Sequence, residues 1–257
     1  MRRGMRWAVL VSLLALSWAS SIAAQTPVDH AAWDLLLKHH VASGLVDYEG
    51  FRQDYAALER YLNNLHDVQP SQLGSRRAEL AFWINAYNAS VVKGVLDHYP
   101  IASVKEVKGF FDRIRYRVAG RELTLNEIES EGRAFGDRRI HFAVVCASSS
   151  CPSLRAEAYV SDRLDAQLAE QTRTFLGDPQ RGMRIEGATL WVSKIFAWYT
   201  ADFVPAKGLG PLHRLTSEPL LSILAPYLAP AVTRAAQMRT LALKFLDYDW
   251  SLNRQGH

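Results

Sequence analysis

The segment RAELAFWINAYNASVVKGVLDHY, Arg77 to Tyr99, runs for over twenty residues with no proline and a single glycine, Gly94. This predicts a long and mostly buried helix. Pro70 and Gly74 bracket a turn before it, and Pro100 stops it. A buried helix of this length needs a full core around it, and about 233 residues after an N-terminal leader, in a chain that is 49% apolar, can supply one.

Upstream, apolar residues recur at spacings of three and four from Val28 to about Val41 and from Phe51 to about Leu65, with Tyr55, Leu58 and Leu62 as the clearest stripe. Both stretches predict amphipathic helices. Downstream, Arg115 to Val118 and Arg121 to Leu123 flank Ala119 and Gly120, which suits a short hairpin. Thr124 followed by Glu127 is a capping box, so a helix starts there. Arg138 to Val145, β-branched and aromatic, is the best strand candidate, and Ser161 caps a helix expected to reach Leu176. Met183 to Ile185 and Thr189 to Val192 form a second hairpin, SKIFAWYTADF from Ser193 to Phe203 is helical, and the chain stays helix-rich to Thr240. TLALKFLDYDWSLN, ending at Asn253, is strand-like, with aromatics at Phe245, Tyr248 and Trp250. Helices and strands in no regular alternation predict a single helix-rich α+β domain with a small mixed or antiparallel sheet, over residues 25–257.

The first 24 residues have another character. Arg2, Arg3 and Arg6 precede a largely apolar run from Trp7 to Trp18, followed by small residues to Ala24. This predicts a secretory signal peptide cleaved near Ala23 or Ala24, too short for the roughly 20 residues of a membrane span. The mature protein is expected to be periplasmic or secreted, with no membrane span. Losing those arginines takes the formal charge from +4 to +1, so the high isoelectric point does not describe a basic surface. Nucleic acid is therefore not expected as a partner.

The chemistry is expected in HFAVVCASSSCPSLR, His141 to Arg155, which holds both cysteines of the chain. An exported compartment oxidises thiols, and a Cys146–Cys151 bridge would close a small loop contributing about 2 kcal/mol. The sharper reading makes one thiol a nucleophile. Pro152 suits the first turn of a helix, which would put Cys151 where the helix dipole favours thiolate, while Cys146 ends the apolar run. His141 is the candidate base, but in a continuous strand five steps span about 16 Å and His141 and Cys146 face opposite sides. Only a strand that ends early brings them together.

Asn85 and Asn88 stand three apart on the apolar face of the long helix. Buried amides need partners, so they either brace the core or orient a catalytic imidazole. Ser193, Lys194, Trp198, Tyr199 and Asp202 fit a surface helix, and Glu127 and Glu129 fit acidic residues in a first helical turn. The His141, Cys146, Cys151 spacing matches no zinc pattern, and no dinucleotide fingerprint, Walker loop, HExxH or GxSxG occurs, so no metal or cofactor is expected.

Five segments in order, AFWINAYNA (Ala81 to Ala89), LTLNEIE (Leu123 to Glu129), RIHFAVVCASSSCPSLR (Arg139 to Arg155), SKIFAWYTADF and YDWSLN (Tyr248 to Asn253), together resemble the family called domain of unknown function 547. The resemblance covers roughly Ala78 to Asn253. It implies an exported bacterial member of a group that also occurs in eukaryotic multidomain proteins and has no established activity. It also implies that the position of Cys146 belongs to the core motif, whereas serine can stand at that of Cys151. The family pattern has histidine after the position of Glu129, where this chain has Ser130.

The expected function is a thiol-dependent hydrolase or acyltransferase acting on an amide or ester of a small molecule or peptide. Cys146 attacks, His141 or another nearby histidine is the base, Asn85 and Asn88 orient or stabilise, and Cys151 is either bridge partner or capping thiol. The rival is a non-catalytic binding or cell-envelope interaction domain with a Cys146–Cys151 disulfide.

Overall fold

The structure, a computed structural model, describes residues 28–204, 215–237 and 241–256; the leader expected over residues 1–24 lies outside them. Helix α1 (Ala31–His40) buries Trp33, Leu36 and Leu37, and the Trp33 ring stacks on Tyr61 at 5.9 Å. A two-residue-per-strand hairpin, β1 (Val41–Ala42) and β2 (Leu45–Val46), leads to α2 (Tyr48–Gln53) and α3 (Tyr55–His66). The single helix expected over Phe51 to Leu65 is thus two. Asp54 sits between them at φ −97° and ψ 16°, its carboxylate 2.8 Å from His40 Nε2.

The long helix α4 (Arg76–Leu96) is capped by Ser75, whose hydroxyl accepts the Ala78 N–H at 3.1 Å. From Leu80 onward almost every side chain is buried. Gly94 has a packing reason: a Cβ there would strike the Tyr116 hydroxyl and the Phe110 ring. The hairpin β3 (Arg115–Val118) and β4 (Arg121–Thr124) follows, then α5 (Leu125–Arg133), which packs on α4. The capping box is complete: Thr124 Oγ1 accepts from Glu127 N–H at 3.2 Å, and Glu127 Oε2 accepts from Thr124 N–H at 2.7 Å.

The strand expected over Arg138 to Val145 is instead a 3-10 helix, Arg138–Phe142, running into a loop. Asp137 caps it by accepting the Arg139 N–H at 3.0 Å, and the Ala143 and Val144 N–H groups turn back to the Ile140 carbonyl. Asn88 supplies what a neighbouring strand would have supplied. Its Nδ2 donates to the Ala143 carbonyl and its Oδ1 accepts from the Val145 N–H, both at 2.9 Å. The β-branched composition here reflects burial of Ile140, Val144 and Val145, not extension.

Helix α6 (Leu164–Leu176) begins after a 3-10 turn, Ser161–Arg163, and Ser161 makes no cap to it. Strands β5 (Met183–Glu186) and β6 (Thr189–Val192) form the expected hairpin. SKIFAWYTADF folds as two short helices, α7 (Ile195–Trp198) and α8 (Thr200–Phe203), broken at Tyr199. Helices α9 (Ser217–Leu224) and α10 (Pro230–Gln237) precede β7 (Ala242–Phe245), which adds in parallel to β6 and makes a mixed three-stranded sheet. The protein is a helix-rich α+β domain. No helix among the described residues is long and apolar enough to cross a membrane.

The buried side chains fall into two clusters. The larger surrounds α4, and the smaller gathers Phe142, Phe175, Phe196, Phe203 and Leu220 against the mixed sheet. The 3-10 segment straddles them, Phe142 in one and Ile140, Ala143, Val144 and Val145 in the other.

Candidate functional site

At the seam of the two clusters lies a cavity of about 260 Å³. Tyr87 of α4 and Glu129 of α5 close one side. His141 comes from the 3-10 helix, Cys146 and Cys151 from the loop after it, Tyr199 from the break between α7 and α8, and Tyr248 from the C-terminal segment. Trp198, 49% exposed, stands at the rim against Tyr248 and Trp250, with centroids 4.7 and 5.9 Å away. Elements distant in sequence meet here because neither cluster alone covers the faces that point into the seam.

His141 is buried, its ring 4.2 Å from that of Tyr199 and 5.1 Å from that of Phe203. Its Nε2 lies 2.8 Å from Asp202 Oδ2. Asp202 also receives Arg133, from Nε at 2.7 Å and a terminal guanidinium nitrogen at 3.1 Å, and this guanidinium holds its carboxyl below the ordinary value. Burial pushes the His141 imidazole down to about 4, against the opposing pull of Asp202. At neutral pH the contact is therefore a hydrogen bond from a neutral ring to a carboxylate. An ionised carboxylate only accepts, so Nε2 carries the hydrogen and Nδ1 keeps a free lone pair.

Glu129 is 7% exposed and lines the cavity. Burial holds its carboxyl above the ordinary value although Tyr199 donates a hydrogen bond to it, and Oε1 has no partner among the described residues.

Cys146 and Cys151 are joined by a disulfide, Cα to Cα 6.1 Å. Cys151 is 3% exposed, and its sulfur accepts the Cys146 N–H at 2.9 Å; Cys146 is only half-buried. Ser148 Oγ donates to the Tyr248 hydroxyl at 3.1 Å, leaving the Tyr248 proton for the Cys146 sulfur, also 3.1 Å away. Ala147 between them has φ 61°, a left-handed conformation rare for a residue with a Cβ. The YDWSLN segment fastens this loop: Ser149 N–H donates to Ser251 O at 2.8 Å, Ser150 N–H to Asp249 O at 3.2 Å, and Asn253 N–H to Ala147 O at 3.1 Å.

Of the residues singled out in the sequence, the structure brings His141, Cys146 and Cys151 to one cavity. The strand geometry that separated His141 from the cysteines is absent. Asn85 and Asn88 do not line the cavity; Asn88 pins the loop as described, and Asn85 grips Tyr159, donating to its carbonyl at 2.7 Å and accepting its N–H at 3.0 Å. Glu129, Asp202, Tyr199 and Tyr248 were not foreseen as site residues. Glu129 carried a usable signal, being two residues past the capping-box glutamate and on the buried face with Leu125 and Ile128. Among the described residues no three His, Cys, Asp or Glu side chains are grouped to hold a metal ion.

Residues 70–176 match a family model described as "Protein of unknown function, DUF547". The match spans the AFWINAYNA, LTLNEIE and RIHFAVVCASSSCPSLR segments and ends before Tyr199, Asp202 and Tyr248. No curated protein and no solved structure matches the chain.

Proposed function

We propose, on the premise that the chain belongs to the DUF547 family, that it is an exported thiol-dependent hydrolase or acyltransferase with Cys146 as nucleophile. The observation that carries this reading is the meeting of Cys146 and His141 on one cavity, with Asp202 bonded to His141 behind it. Export is supported by the arginine-led apolar leader and by a disulfide, which suits an oxidising compartment.

The bridged protein is the resting form. A dithiol reductant cleaves the sulfur–sulfur bond, leaving two thiols and becoming a disulfide itself. Cys146 then gives its proton to His141 Nδ1 and attacks the acyl carbon of an amide or ester. His141 returns the proton to the leaving amine or alcohol, and a thioester remains on Cys146. Water, or another amine or alcohol, attacks that thioester and releases the thiol. Asp202 holds the imidazole in the tautomer this needs, and the Tyr248 hydroxyl donates to the thiolate.

The test is acylation of the reduced protein by p-nitrophenyl acetate, read by mass spectrometry. One acetyl group on Cys146, absent from Cys146→Ser and from the bridged protein and formed at least tenfold more slowly in His141→Ala, is expected. Reduced protein that takes up no acetyl group on Cys146 overturns the proposal.

The disulfide itself favours a second reading, a non-catalytic binding domain in which the bridge is permanent and shapes the loop. That reading expects reduction to weaken the loop without exposing a thiol more reactive than a free cysteine.

A further inference from the structure

Glu129 presents an unusual combination: a carboxyl more than nine-tenths buried, facing a cavity, with Oε1 unpartnered among the described residues. Leaving a buried acceptor unpaired costs about 1–3 kcal/mol, more when it is charged. A donor that enters the cavity recovers that energy. The walls around the carboxyl are aromatic, from Tyr87, Phe111, Tyr199, Tyr248, Trp198 and Trp250, and no lysine or arginine is among the lining residues. Arg133 acts on Glu129 through space but makes its hydrogen bonds to Asp202 and lies over the Tyr199 ring, and Lys105 lies over the Trp250 ring. Aromatic faces are electronegative and attract cations. The volume is below the roughly 300–1,000 Å³ of drug-sized ligand sites, so the occupant is compact.

We infer that this cavity binds the ammonium group of a small amine, with one N–H donated to Glu129 Oε1 and the aromatic walls facing the rest of the cation. This deepens the proposed function, on which it rests for catalysis only, by naming the substrate class: an amide or ester that also carries a free amino group. Asn126 and neutral His141 are the other polar lining side chains apart from the tyrosines, and neither repels a cation.

The experiment uses the bridged protein, so no thiol takes part. Calorimetry and tryptophan fluorescence follow titration with n-butylammonium, and with n-butanol and butyrate as neutral and anionic counterparts. Butylammonium is expected to bind saturably and at least tenfold more tightly than either. Glu129→Gln is expected to weaken it at least tenfold, and Glu218→Gln, on an exposed site, to leave it unchanged. Trp198→Ala, at an exposed rim position that tolerates truncation, is expected to weaken butylammonium severalfold and serves as the second variant if Glu129→Gln does not fold. Equal affinity for butanol and butylammonium, or wild-type affinity in folded Glu129→Gln, overturns the inference. Ammonium binding without acetylation of Cys146 overturns the enzyme reading alone; acetylation without ammonium preference overturns this one alone.

Discussion

Asp202 Oδ2 stands 2.8 Å from His141 Nε2 across 61 residues of sequence, and this contact decides which imidazole nitrogen is free to take a proton. Nitrogen NMR of the folded protein is expected to show neutral His141 with its hydrogen on Nε2. Asp202→Ala should populate the other tautomer and lower stability by about 1–3 kcal/mol, because a buried N–H and the Arg133 guanidinium lose their acceptor. Unchanged tautomer and stability would remove Asp202 from the mechanism.

Burial pushes both His141 and His30 down to about 4 from an ordinary 6.5. Below pH 6.5 the unfolded chain binds protons that these two folded sites refuse, so stability falls as the pH drops from 6.5 to 4 and then levels for these groups. Each contributes up to about 3 kcal/mol to that loss. A thermal melt at each pH should show the decline, and His30→Gln should reduce its slope. A melting temperature flat between pH 6.5 and 4 would contradict the burial of both rings.

The Cys146–Cys151 bridge closes a short loop. Thiol titration of the unreduced protein is expected to find no free thiol, and the denatured, reduced chain two. Reduction should lower stability by about 2 kcal/mol in the chain-entropy treatment, measured by urea unfolding with and without a dithiol. Two thiols titrating before reduction would contradict the bridge.

Asn88 holds the Ala143 carbonyl and the Val145 N–H, the two backbone groups that lead into Cys146. Asn88→Ala leaves both buried without a partner and is expected to cost about 2–4 kcal/mol. Its effect on Cys146 reactivity should exceed that of Asn85→Ala, which frees only Tyr159. Equal effects would mean that Asn88 does not position the loop.

Much of this architecture is legible in the chain. Long α4, both hairpins and the capping box at Thr124 follow from local signals, periodicity and side-chain-to-backbone chemistry, and they survive in the fold. The segment before Cys146 misleads because β-branched residues report burial as readily as extension. Its hydrogen-bond partner is the Asn88 side chain, not a strand, and no local pattern encodes that. The site is legible only where the cysteines and His141 lie close in sequence. Asp202, Tyr248 and Tyr199 reach it from 53 to 107 residues beyond Cys146 or His141 in arrangements set by packing between two clusters. Glu129 looked like an ordinary helix-start acid, since its burial depends on what α5 packs against.

The most direct measurement is the pH dependence of iodoacetamide alkylation of Cys146 in a Cys151→Ser variant. Once the bridge is open, a Cys146 thiolate and a His141 imidazolium stabilise each other and Tyr248 donates to the sulfur, so the rate should rise through an apparent pKa clearly below the roughly 8.5 of a free cysteine, and His141→Ala should return it toward that value. An ordinary profile near 8.5, unmoved by His141→Ala, would contradict the assignment of Cys146 as an activated nucleophile.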